Sequence, residues 1–586
     1  MKRCRLLILL LFGMVIIGHA QTIDDIMYDI YGQLSETQDV DYEDLVSDLM
    51  DLASNPINLN DATQDELARL KFLSDAQIDA LLSYVAKHPL AEIYELKLIP
   101  GFRDYDIRNL TYFVTVEPVE KNDKMYFREV FHDAKHEITL RTDARDIEHY
   151  KTDPIYAQLR YRFNYKNRVQ MGINLKRNPS SLFRDLDYGT YLQLNNIGHL
   201  KTLVAGNYQG QYGMGLVLGN PFHMSKSIYL TSCGTEGIKK FSSASPSYDY
   251  LHGAAATVRY GEVDVTALYS LRQDKDSNWH HVVGVNTTWT HNRLRLGLTA
   301  LENIYMLPDR DSTQACFGIY ARYNWGRVDL SSEIATSQGL CWGLASSLMA
   351  RFTPIDGLGL IALYRYYSPS YTNRYAYGFA EKSKTTDENG LYLGLDVNML
   401  RQWRFLFYAD GYRQVNRKND VDNPSWGYDL QFQAHYFTTS EISMNWRLRA
   451  RMKQDIYTNS LRYQLLYESA GWKLKTQLDA NMTNDWNWGA SVLQDIQYTF
   501  AWKRPLALQL RLQAFDIRNW ANRIYVYEND VLYAFSIPAV YGQGGRVYLN
   551  MRWKICKQLS LYLRASETLT MTSNRTDIHL LMRAYL

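Results

Sequence analysis

The sequence predicts a mainly-β fold, in which a large transmembrane antiparallel β-barrel follows a small all-α domain. Three observations lead to this prediction. Residues 21–120 are acidic and show helical periodicity, whereas residues 134–586 are basic and alternate apolar with polar side chains. The chain carries 46 Tyr and 13 Trp, which are enriched at water–lipid boundaries. After residue 20, no run of about 20 apolar residues could form a membrane-spanning helix.

The first 20 residues predict a secretory signal peptide. A charged start is followed by an apolar run over residues 6–17 and by the small residue Ala20 at the expected cleavage position. We therefore expect the mature protein to begin at Gln21 and to leave the cytoplasm.

Residues 21–120 predict an acidic helical domain. They contain 21 Asp and Glu against six Lys and Arg, a net charge of −15, whereas residues 121–586 have a net charge of +14. Leu45, Leu49 and Leu52 recur at helical spacing, and other segments of this region show the same period. We expect Asn60 or Asp61 to cap the helix that follows.

Residues 134–586 predict the barrel, with residues 121–133 as a linker. Segments of about ten residues alternate apolar with polar side chains and are separated by turn signals. Clear examples cover residues 157–165, 428–436, 442–453 and 506–514. We expect roughly 20–26 strands, a size at which a plugged lumen is common.

Alternation alone would also fit a soluble β-sandwich, so other features decide between the two folds. The strands are long and numerous, and Tyr and Trp flank their apolar faces. Closely spaced cations recur on the polar faces, and these cannot point into an apolar sandwich core but can line a wet lumen. Residues 578–586 also alternate and resemble the final strand of outer-membrane barrels, although the aromatic Tyr585 comes one place early.

Two motifs in the acidic domain resemble the ComEA-like helix-hairpin-helix, which is familiar from DNA-uptake receptors. The first is NLNDA at residues 58–62 followed by ELARL at 66–70, and the second is IYELKLIPGFR at 93–103. In that family each hairpin is a Gly-apolar-Gly turn, whose glycines let backbone N–H groups approach a phosphate.

The hairpins of this chain depart from that pattern. The candidate contact residues of the first hairpin are Phe72, Leu73 and Ser74, where both glycines are replaced; those of the second are Gly101, Phe102 and Arg103, where one glycine remains. The acidic surroundings would also repel a polyanion. DNA binding therefore stands as one hypothesis, and a periplasmic scaffold that docks a partner protein stands as the favoured one.

The order of signal peptide, double hairpin and barrel is similar to the helix-hairpin-helix outer-membrane proteins of Bacteroidota. The resemblance is strongest over residues 54–116. It is also visible at residues 205–216 and in the segment YVYE at 525–528. The resemblance implies an outer-membrane location, with the N-terminal domain in the periplasm.

A set of basic residues is expected to face the lumen: Arg160, Arg162, Arg447, Arg449, Arg451 and Arg511. Their combined field would favour anions. The alternative interpretation is that they pair with lumen carboxylates such as Asp429 and stiffen the wall.

Four further features of the sequence lead to local predictions. Residues 206–219 are rich in glycine, but the spacing does not fit a nucleotide-binding turn. Residues 220–250 break the strand rhythm and predict a long loop or an inward-folded constriction. Residues 542–545 (GQGG) predict a turn, and alternation at His280 and His281 would place one ring in the lumen and the other on the wall.

The sequence favours a non-enzymatic function. We find no Gly-x-Ser-x-Gly elbow and no HExxH, and Cys233, Cys316, Cys341 and Cys556 show no metal-binding spacing. We expect no cofactor and no metal, and the sequence does not decide whether one disulfide forms. The leading hypothesis is a channel or a component of an envelope export or assembly machine that contacts outer-membrane lipid and a partner protein. The second is a DNA-uptake component, and the third is an outer-membrane enzyme.

Overall fold

The computed structural model describes most of the chain from residue 42 onwards. The described residues are 42–70, 72–73, 75–118, 127–146, 149, 153–182, 185–220, 226, 236–244, 249–273, 278–306, 312–338, 342–382, 384–415, 425–438, 441–500, 502–534 and 536–586. The expected signal peptide, residues 21–41 of the expected acidic domain, Ser74, Cys233 and Cys341 lie outside them.

The N-terminal domain is helical, as the sequence predicts. Its helices are α1 (Tyr42–Ser54), α2 (Gln64–Leu67), α3 (Asp75–Val85), a 3-10 helix (Ile93–Leu98) and α4 (Asp104–Leu110), with a short parallel pair β1 (Ile57–Asn58) and β2 (Val114–Thr115). Buried apolar side chains from all of these helices form its core, among them Leu49, Leu67 and Leu81. Helix α5 (Phe127–His132) falls in the segment expected to be a linker.

The cap of α2 differs from the sequence prediction. Thr63 caps this helix in a reciprocal arrangement with Glu66, in which each residue accepts from the other's backbone N–H. Asn60 instead joins two distant segments, because its side chain accepts from the N–H of Leu90 and donates to the carbonyls of Leu90 and Glu117. The expectation of a cap at Asn60 or Asp61 is therefore wrong.

The rest of the described chain forms a closed antiparallel barrel of 24 strands, with one additional short strand, β8, beside it. The strands are β3 (Lys135–Ala144), β4 (Ile155–Tyr165), β5 (Val169–Arg177), β6 (Asp187–Ile197), β7 (Leu200–Gln211), β8 (Gly237–Lys240), β9 (Leu251–Tyr260), β10 (Val263–Gln273), β11 (Trp279–His291), β12 (Leu294–Met306), β13 (Ser312–Trp325), β14 (Val328–Gln338), β15 (Trp342–Ile355), β16 (Leu358–Tyr367), β17 (Glu388–Val397), β18 (Trp403–Gln414), β19 (Ser425–Phe437), β20 (Ile442–Lys453), β21 (Ile456–Ser469), β22 (Trp472–Thr483), β23 (Trp488–Phe500), β24 (Leu506–Ile517), β27 (Gly542–Lys554), β28 (Leu559–Thr570) and β29 (Asn574–Tyr585).

The barrel closes between its first and last strands. Strand β29 pairs antiparallel with β3, from Ile578 opposite Ala144 to Tyr585 opposite Glu137. The backbone N–H of Leu586 then donates to the carbonyl of His136 at 3.1 Å. The chain therefore enters and leaves the barrel at the same end, which we call the N-terminal mouth.

The two ends of the barrel have different connections. Turns at the N-terminal mouth are short, for example residues 261–262, 292–293 and 326–327. The opposite end carries three long segments, which we call the first inner loop (residues 212–250), the second inner loop (368–387) and the third inner loop (518–541, including the short pair β25, Ile524–Tyr525, and β26, Ala539–Val540).

Side chains alternate across the barrel wall as the period of two requires. Outward-facing residues such as Ile319, Ile334 and Leu348 are apolar and exposed. Trp and Tyr lie at or near strand ends on the same surface, including Tyr260, Trp279, Trp325, Trp342, Trp426, Trp472 and Trp488. The outer surface is thus an apolar band bordered by amphipathic rings. No helix among the described residues is long and apolar enough to cross a membrane.

Candidate functional site: the lumen and its closure

The N-terminal domain lies across the N-terminal mouth and contacts turns on several sides of it. Asp65 pairs with Lys201 at 3.2 Å, Asp79 accepts from Asn324 at 3.1 Å, and Arg108 approaches Glu468 at 3.9 Å. Arg103 donates to the carbonyls of Asn398 and Leu400, both at 2.8 Å, and further contacts join Asn55 to Asn167 and Ser54 to Lys135. Because these partners belong to strands or turns from β3 to β21, the domain covers the mouth rather than hanging from one edge.

Asp51, on α1, enters the lumen and meets two cations. Its carboxylate accepts hydrogen bonds from Arg162 of β4 and Lys240 of β8. Burial alone would raise the pKa of Asp51, but the positive charges of Arg162 and Lys240 outweigh burial and lower it to about 2. The carboxylate is therefore ionised at neutral pH, and it joins the domain to the wall and to the first inner loop.

The third inner loop reaches down the lumen from the opposite end and meets the N-terminal domain. Val531, Leu532 and Tyr533 pack into the same apolar core as the helices of the domain. The hydroxyl of Tyr533 donates to Glu137 of β3 at 2.5 Å, and the guanidinium of Arg160 lies 4.3 Å from the centre of the Tyr533 ring. On this side, the lumen is filled from both ends.

Buried ion pairs hold the third inner loop against the wall. Glu528 accepts from Arg546 of β27 and Arg564 of β28, and Asp530 pairs with Arg564 at 2.7 Å and with His579 of β29 at 2.7 Å. Burial alone would raise the pKa of Glu528, but the two arginines lower it to about 2. Removing one member of such a set would leave a buried charge without its partner.

The described parts of the first and second inner loops fill the lumen beside β13–β16. Leu216, Val217 and Leu218 are buried, and the backbone N–H groups of Leu216 and Val217 donate to Glu333 of β14 at 3.1 and 3.3 Å. Tyr371 of the second inner loop donates to the carbonyl of Leu216 at 2.6 Å. The two loops also share backbone hydrogen bonds, from Gly219 to Tyr375 and from Tyr377 to Gly215.

Gly215 shows why this part of the first inner loop needs glycine. Its φ is +78°, and a Cβ there would lie 3.1 Å from the carbonyl oxygen of Tyr377. A side chain would therefore strain the backbone and push the two inner loops apart.

One sector of the wall is not covered in this way. On β20, all of the inward-facing side chains from Ser443 to Lys453 are partly exposed, and on β21 only Arg462 of the inward-facing set is buried. We call Arg447, Arg449, Arg451 and Lys453, the inward-facing cations of β20, the basic strip. The basic strip borders the part of the lumen that water reaches.

The six arginines predicted to face the lumen are divided between the two kinds of wall. Arg160, Arg162 and Arg511 are buried, and Arg511 pairs with Asp495 at 2.5 Å. The remaining three belong to the basic strip, where Arg449 pairs with Asp429 at 2.6 Å and Arg451 with Glu381 at 2.5 Å. The structure therefore contains the carboxylate pairing that the sequence left as an alternative, together with water-exposed cations.

The hairpin residues are used for internal contacts. Leu73 and Phe102 are buried in the core of the domain, and the ring of Phe72 lies 5.7 Å from that of Phe113. Gly101 accepts a hydrogen bond at its carbonyl from Gln77 at 2.8 Å, and Arg103 donates to the barrel turn described above. The described hairpin side chains thus stabilise the domain and its contact with the barrel.

Alternation correctly places the His280–His281 pair. His280 is buried on the inner face, 4.2 Å from the Tyr305 ring, and His281 lies on the outer face with its Nδ1 3.0 Å from the Tyr269 hydroxyl. Cys316 and Cys556 are free thiols. Among the described residues, no group of His, Cys, Asp and Glu is arranged to hold a metal ion.

The turn predicted at residues 542–545 is wrong. These residues begin β27, and Gly544 and Gly545 pair with Thr570 and Leu569 of β28. A Cβ on Gly544 would collide with the carbonyl of Leu569. Glycine is therefore needed here because two backbones approach closely, and not because the chain reverses direction.

Sequence reasoning missed the second and third inner loops. Both interrupt the period of two over some twenty residues, at 368–387 and 518–541, and that interruption is a signal that could have revealed them. The ion pairs of these two loops leave no local pattern in the sequence, because each pair joins distant residues. Examples are Glu381 with Arg451 and Glu528 with Arg546.

No protein-family model matches the chain, and no curated protein is similar to it. Solved structures do resemble it. The siderophore receptor PirA from Pseudomonas aeruginosa is 7% identical, with 77% of this chain and 80% of that chain covered at a TM-score of 0.43. The copper transporter OprC is 9% identical, with 77% and 81% covered at 0.40. OccK5 (OpdH) from Pseudomonas aeruginosa is 12% identical, with 60% and 97% covered at 0.33. At these identities and TM-scores, the likeness assigns neither a substrate nor a partner to this chain.

Proposed function

We propose that this chain is a non-enzymatic outer-membrane transport barrel whose own N-terminal domain closes it until a partner protein releases that domain. The observation that carries the proposal is the set of contacts between the N-terminal domain and turns from β3 to β21 around the mouth. A domain bound at a single edge would leave the lumen open.

The outer surface supports insertion into a membrane. Apolar side chains cover the middle of the strands, and tryptophans such as Trp325 and Trp342 lie at strand ends, where amphipathic rings favour the water–lipid boundary. Outer-membrane barrels have short turns on the periplasmic side and longer loops outside. The short turns at the N-terminal mouth therefore favour a periplasmic position for the helical domain.

The face of the domain that is turned away from the barrel supports partner docking. Tyr94 and Leu98 of the 3-10 helix are 63% and 69% exposed, while α1 is buried against the barrel. A periplasmic protein that bound this face could pull the domain from the mouth. Replacing both residues by Ser should remove a crosslinked partner from envelope fractions, whereas Lys87→Ser, a change at another exposed position, should keep it.

Conductance in planar bilayers tests the closure. The full-length protein should be silent, and Asp51→Ala should conduct because Arg162 and Lys240 lose the carboxylate that joins the domain to the wall. Asp61→Ala is the matched control: it also removes one carboxylate from the domain, but at an exposed position, and it should stay silent.

Heat-dependent gel mobility should first establish that both variants contain folded barrels. A full-length protein that conducts as freely as Asp51→Ala would contradict closure by the domain. A folded Asp51→Ala variant that stays silent while its domain becomes accessible to protease would show that the inner loops alone block the lumen.

A further inference from the structure

The basic strip lies between two inner loops that approach it from opposite sides. On one side, Glu381 of the second inner loop pairs with Arg451 at 2.5 Å and with Lys453 at 3.1 Å. On the other side, the carbonyl of Tyr525 in the third inner loop accepts from Arg462 of β21 at 2.8 Å. The gap between these loops is where β20 and β21 remain water-exposed.

At the outer end of the basic strip, β20 and β21 are joined by a short turn. Strands β20 and β21 are joined by Gln454 and Asp455 alone, both with positive φ (+52° and +61°), as in the tightest hairpins. Solutes arriving from this end can therefore reach Lys453 first, whose side chain is 42% exposed.

The wall around the basic strip carries more positive than negative charge. The inner faces of β19–β22 hold seven basic side chains (Arg447, Arg449, Arg451, Lys453, Arg462, Lys473 and Lys475) against three carboxylates (Asp429, Glu468 and Asp479). Arg447 and Arg462 are direct cross-strand neighbours, and Arg462 also pairs with Asp479 of β22. This surplus makes the sector attractive to anions.

Glu381 is the counter-ion that a loop, rather than the wall, supplies to the basic strip. Burial alone would raise its pKa, but Lys226, Arg451 and Lys453 lower it to about 2, so it is ionised at neutral pH. Asp429 belongs to β19 and pairs with Arg449, whereas Glu381 belongs to a loop, and its carboxylate can turn away from Arg451 and Lys453 without any change in the wall. Its pair with Lys226 at 2.7 Å would remain when the basic strip is occupied by another anion.

The spacing of the cations indicates the shape of the ligand. Alternate residues of a strand are about 7 Å apart, so four of them extend over about 20 Å. A single small ion contacts only one or two of these positions, whereas a solute with several phosphates or carboxylates can contact more of them at once.

We propose that the basic strip binds a multivalent anionic solute, and that the carboxylate of Glu381 occupies its outer half as an internal counter-ion until the solute displaces it. This inference rests on the proposed transport function and names its substrate class. Binding can be measured in detergent without any transport, so the two proposals can fail separately.

Isothermal titration of the full-length protein with sodium tripolyphosphate at constant ionic strength tests the inference. Tripolyphosphate should bind, and the uncharged sugar raffinose should not. Glu381→Gln should tighten tripolyphosphate binding on the order of tenfold, because the competing carboxylate is removed. The combined change Arg447→Gln, Arg451→Gln and Lys453→Gln should abolish binding while leaving the pair between Arg449 and Asp429 intact.

Arg322→Gln is the matched control, since Arg322 also faces inward and pairs with Asp329 at 2.7 Å, but on β13, away from the basic strip. It should bind like the unchanged protein. Equal affinity in the unchanged protein and in Glu381→Gln would overturn the role of Glu381. Binding that survives the triple change would overturn the site, whatever conductance shows about closure of the mouth. Heat-dependent gel mobility confirms that each variant is folded.

Discussion

The covered wall at β24, β27 and β28 and the open wall at β20 use the same residue types in different surroundings. On the covered wall, the side chains of Arg511 and Arg564 are 0% and 2% exposed and pair with Asp495 and Glu528. On the open wall, the side chains of Arg451 and Lys453 are 35% and 42% exposed. Arginine in a barrel lumen thus has two uses, which strand alternation alone does not separate.

The difference follows from what lies opposite each wall. The third inner loop brings Glu528 and Asp530 against the covered wall, where desolvation makes each pair necessary. Over the open wall, the second inner loop supplies Glu381, whose side chain is only 4% exposed, but its partners Arg451 and Lys453 are 35% and 42% exposed. The first arrangement fixes a loop, and the second leaves charge available to a solute.

The largest effect is expected at Glu528. Glu528→Ala leaves Arg546 and Arg564 buried without this carboxylate, so it should lower the free energy of unfolding by about 3–5 kcal/mol. Urea-induced unfolding followed by tryptophan fluorescence measures the loss. Arg447→Gln on the open wall is the control, and its effect should lie within about 0.5 kcal/mol, because Arg447 is partly exposed and the change leaves no buried carboxylate of the third inner loop without its partner. Equal losses in both variants would remove the distinction between the walls.

Acid should release the N-terminal domain. The pKa of Asp51 is lowered from 3.8 to about 2 in the folded protein, so its contribution is fully present above pH 4 and is lost as the pH falls towards 2. The shift corresponds to about 2 kcal/mol, and the pKa of Asp48, which is also lowered, changes stability in the same direction. The protection of α1 against hydrogen exchange, taken relative to the intrinsic amide exchange rate at each pH, should fall across this range.

Asp51→Asn serves as the control for the acid effect. It cannot titrate, so its α1 should exchange faster at neutral pH and should change less between pH 4 and pH 2. Unchanged protection of α1 in the original protein down to pH 2 would mean that Asp51 does not hold the domain.

Thiol labelling separates the two walls more finely. Ser460→Cys on β21 should react with a negatively charged methanethiosulfonate at least about tenfold faster than Gln513→Cys on β24, a factor equivalent to 1.4 kcal/mol. Ser460 is partly exposed on the inner face and Gln513 is buried there. Both variants need a background in which Cys233, Cys316, Cys341 and Cys556 are replaced. Similar rates would show that both walls are equally open.

The smallest effect is expected with DNA. Because Leu73 and Phe102 are buried and Arg103 binds a barrel turn, the full-length protein should show no salt-sensitive affinity for duplex DNA in fluorescence anisotropy. Micromolar binding at physiological salt that weakens as salt is raised would restore the DNA hypothesis.

Sequence reasoning predicted the barrel well, because alternation and aromatic strand ends are local signals. Segments such as 428–436 and 506–514 coincide with β19 and β24. The same rule correctly assigned opposite faces to His280 and His281. The helical class of the N-terminal domain was also predicted from local periodicity, since Leu45, Leu49 and Leu52 lie on one helix, α1.

The closure could not be predicted, because it depends on contacts between distant residues. Nothing near Asp51 in the sequence indicates Arg162 or Lys240, and nothing near Glu381 indicates Arg451. The acidic charge of the N-terminal domain suggested repulsion from a polyanion. In the structure, part of that charge lies against basic residues of the barrel, as at Asp65 and Lys201.

The central claim is that the N-terminal domain closes the mouth. A reducible crosslink between the domain and the barrel tests it most directly. Asp65→Cys and Lys201→Cys, at positions paired at 3.2 Å, would be joined by a reducible bismaleimide in an Asp51→Ala protein whose Cys233, Cys316, Cys341 and Cys556 are replaced by Ala. Single-channel conductance should be absent while the crosslink is intact and should appear after reduction. The same conductance before and after reduction would contradict closure by this domain.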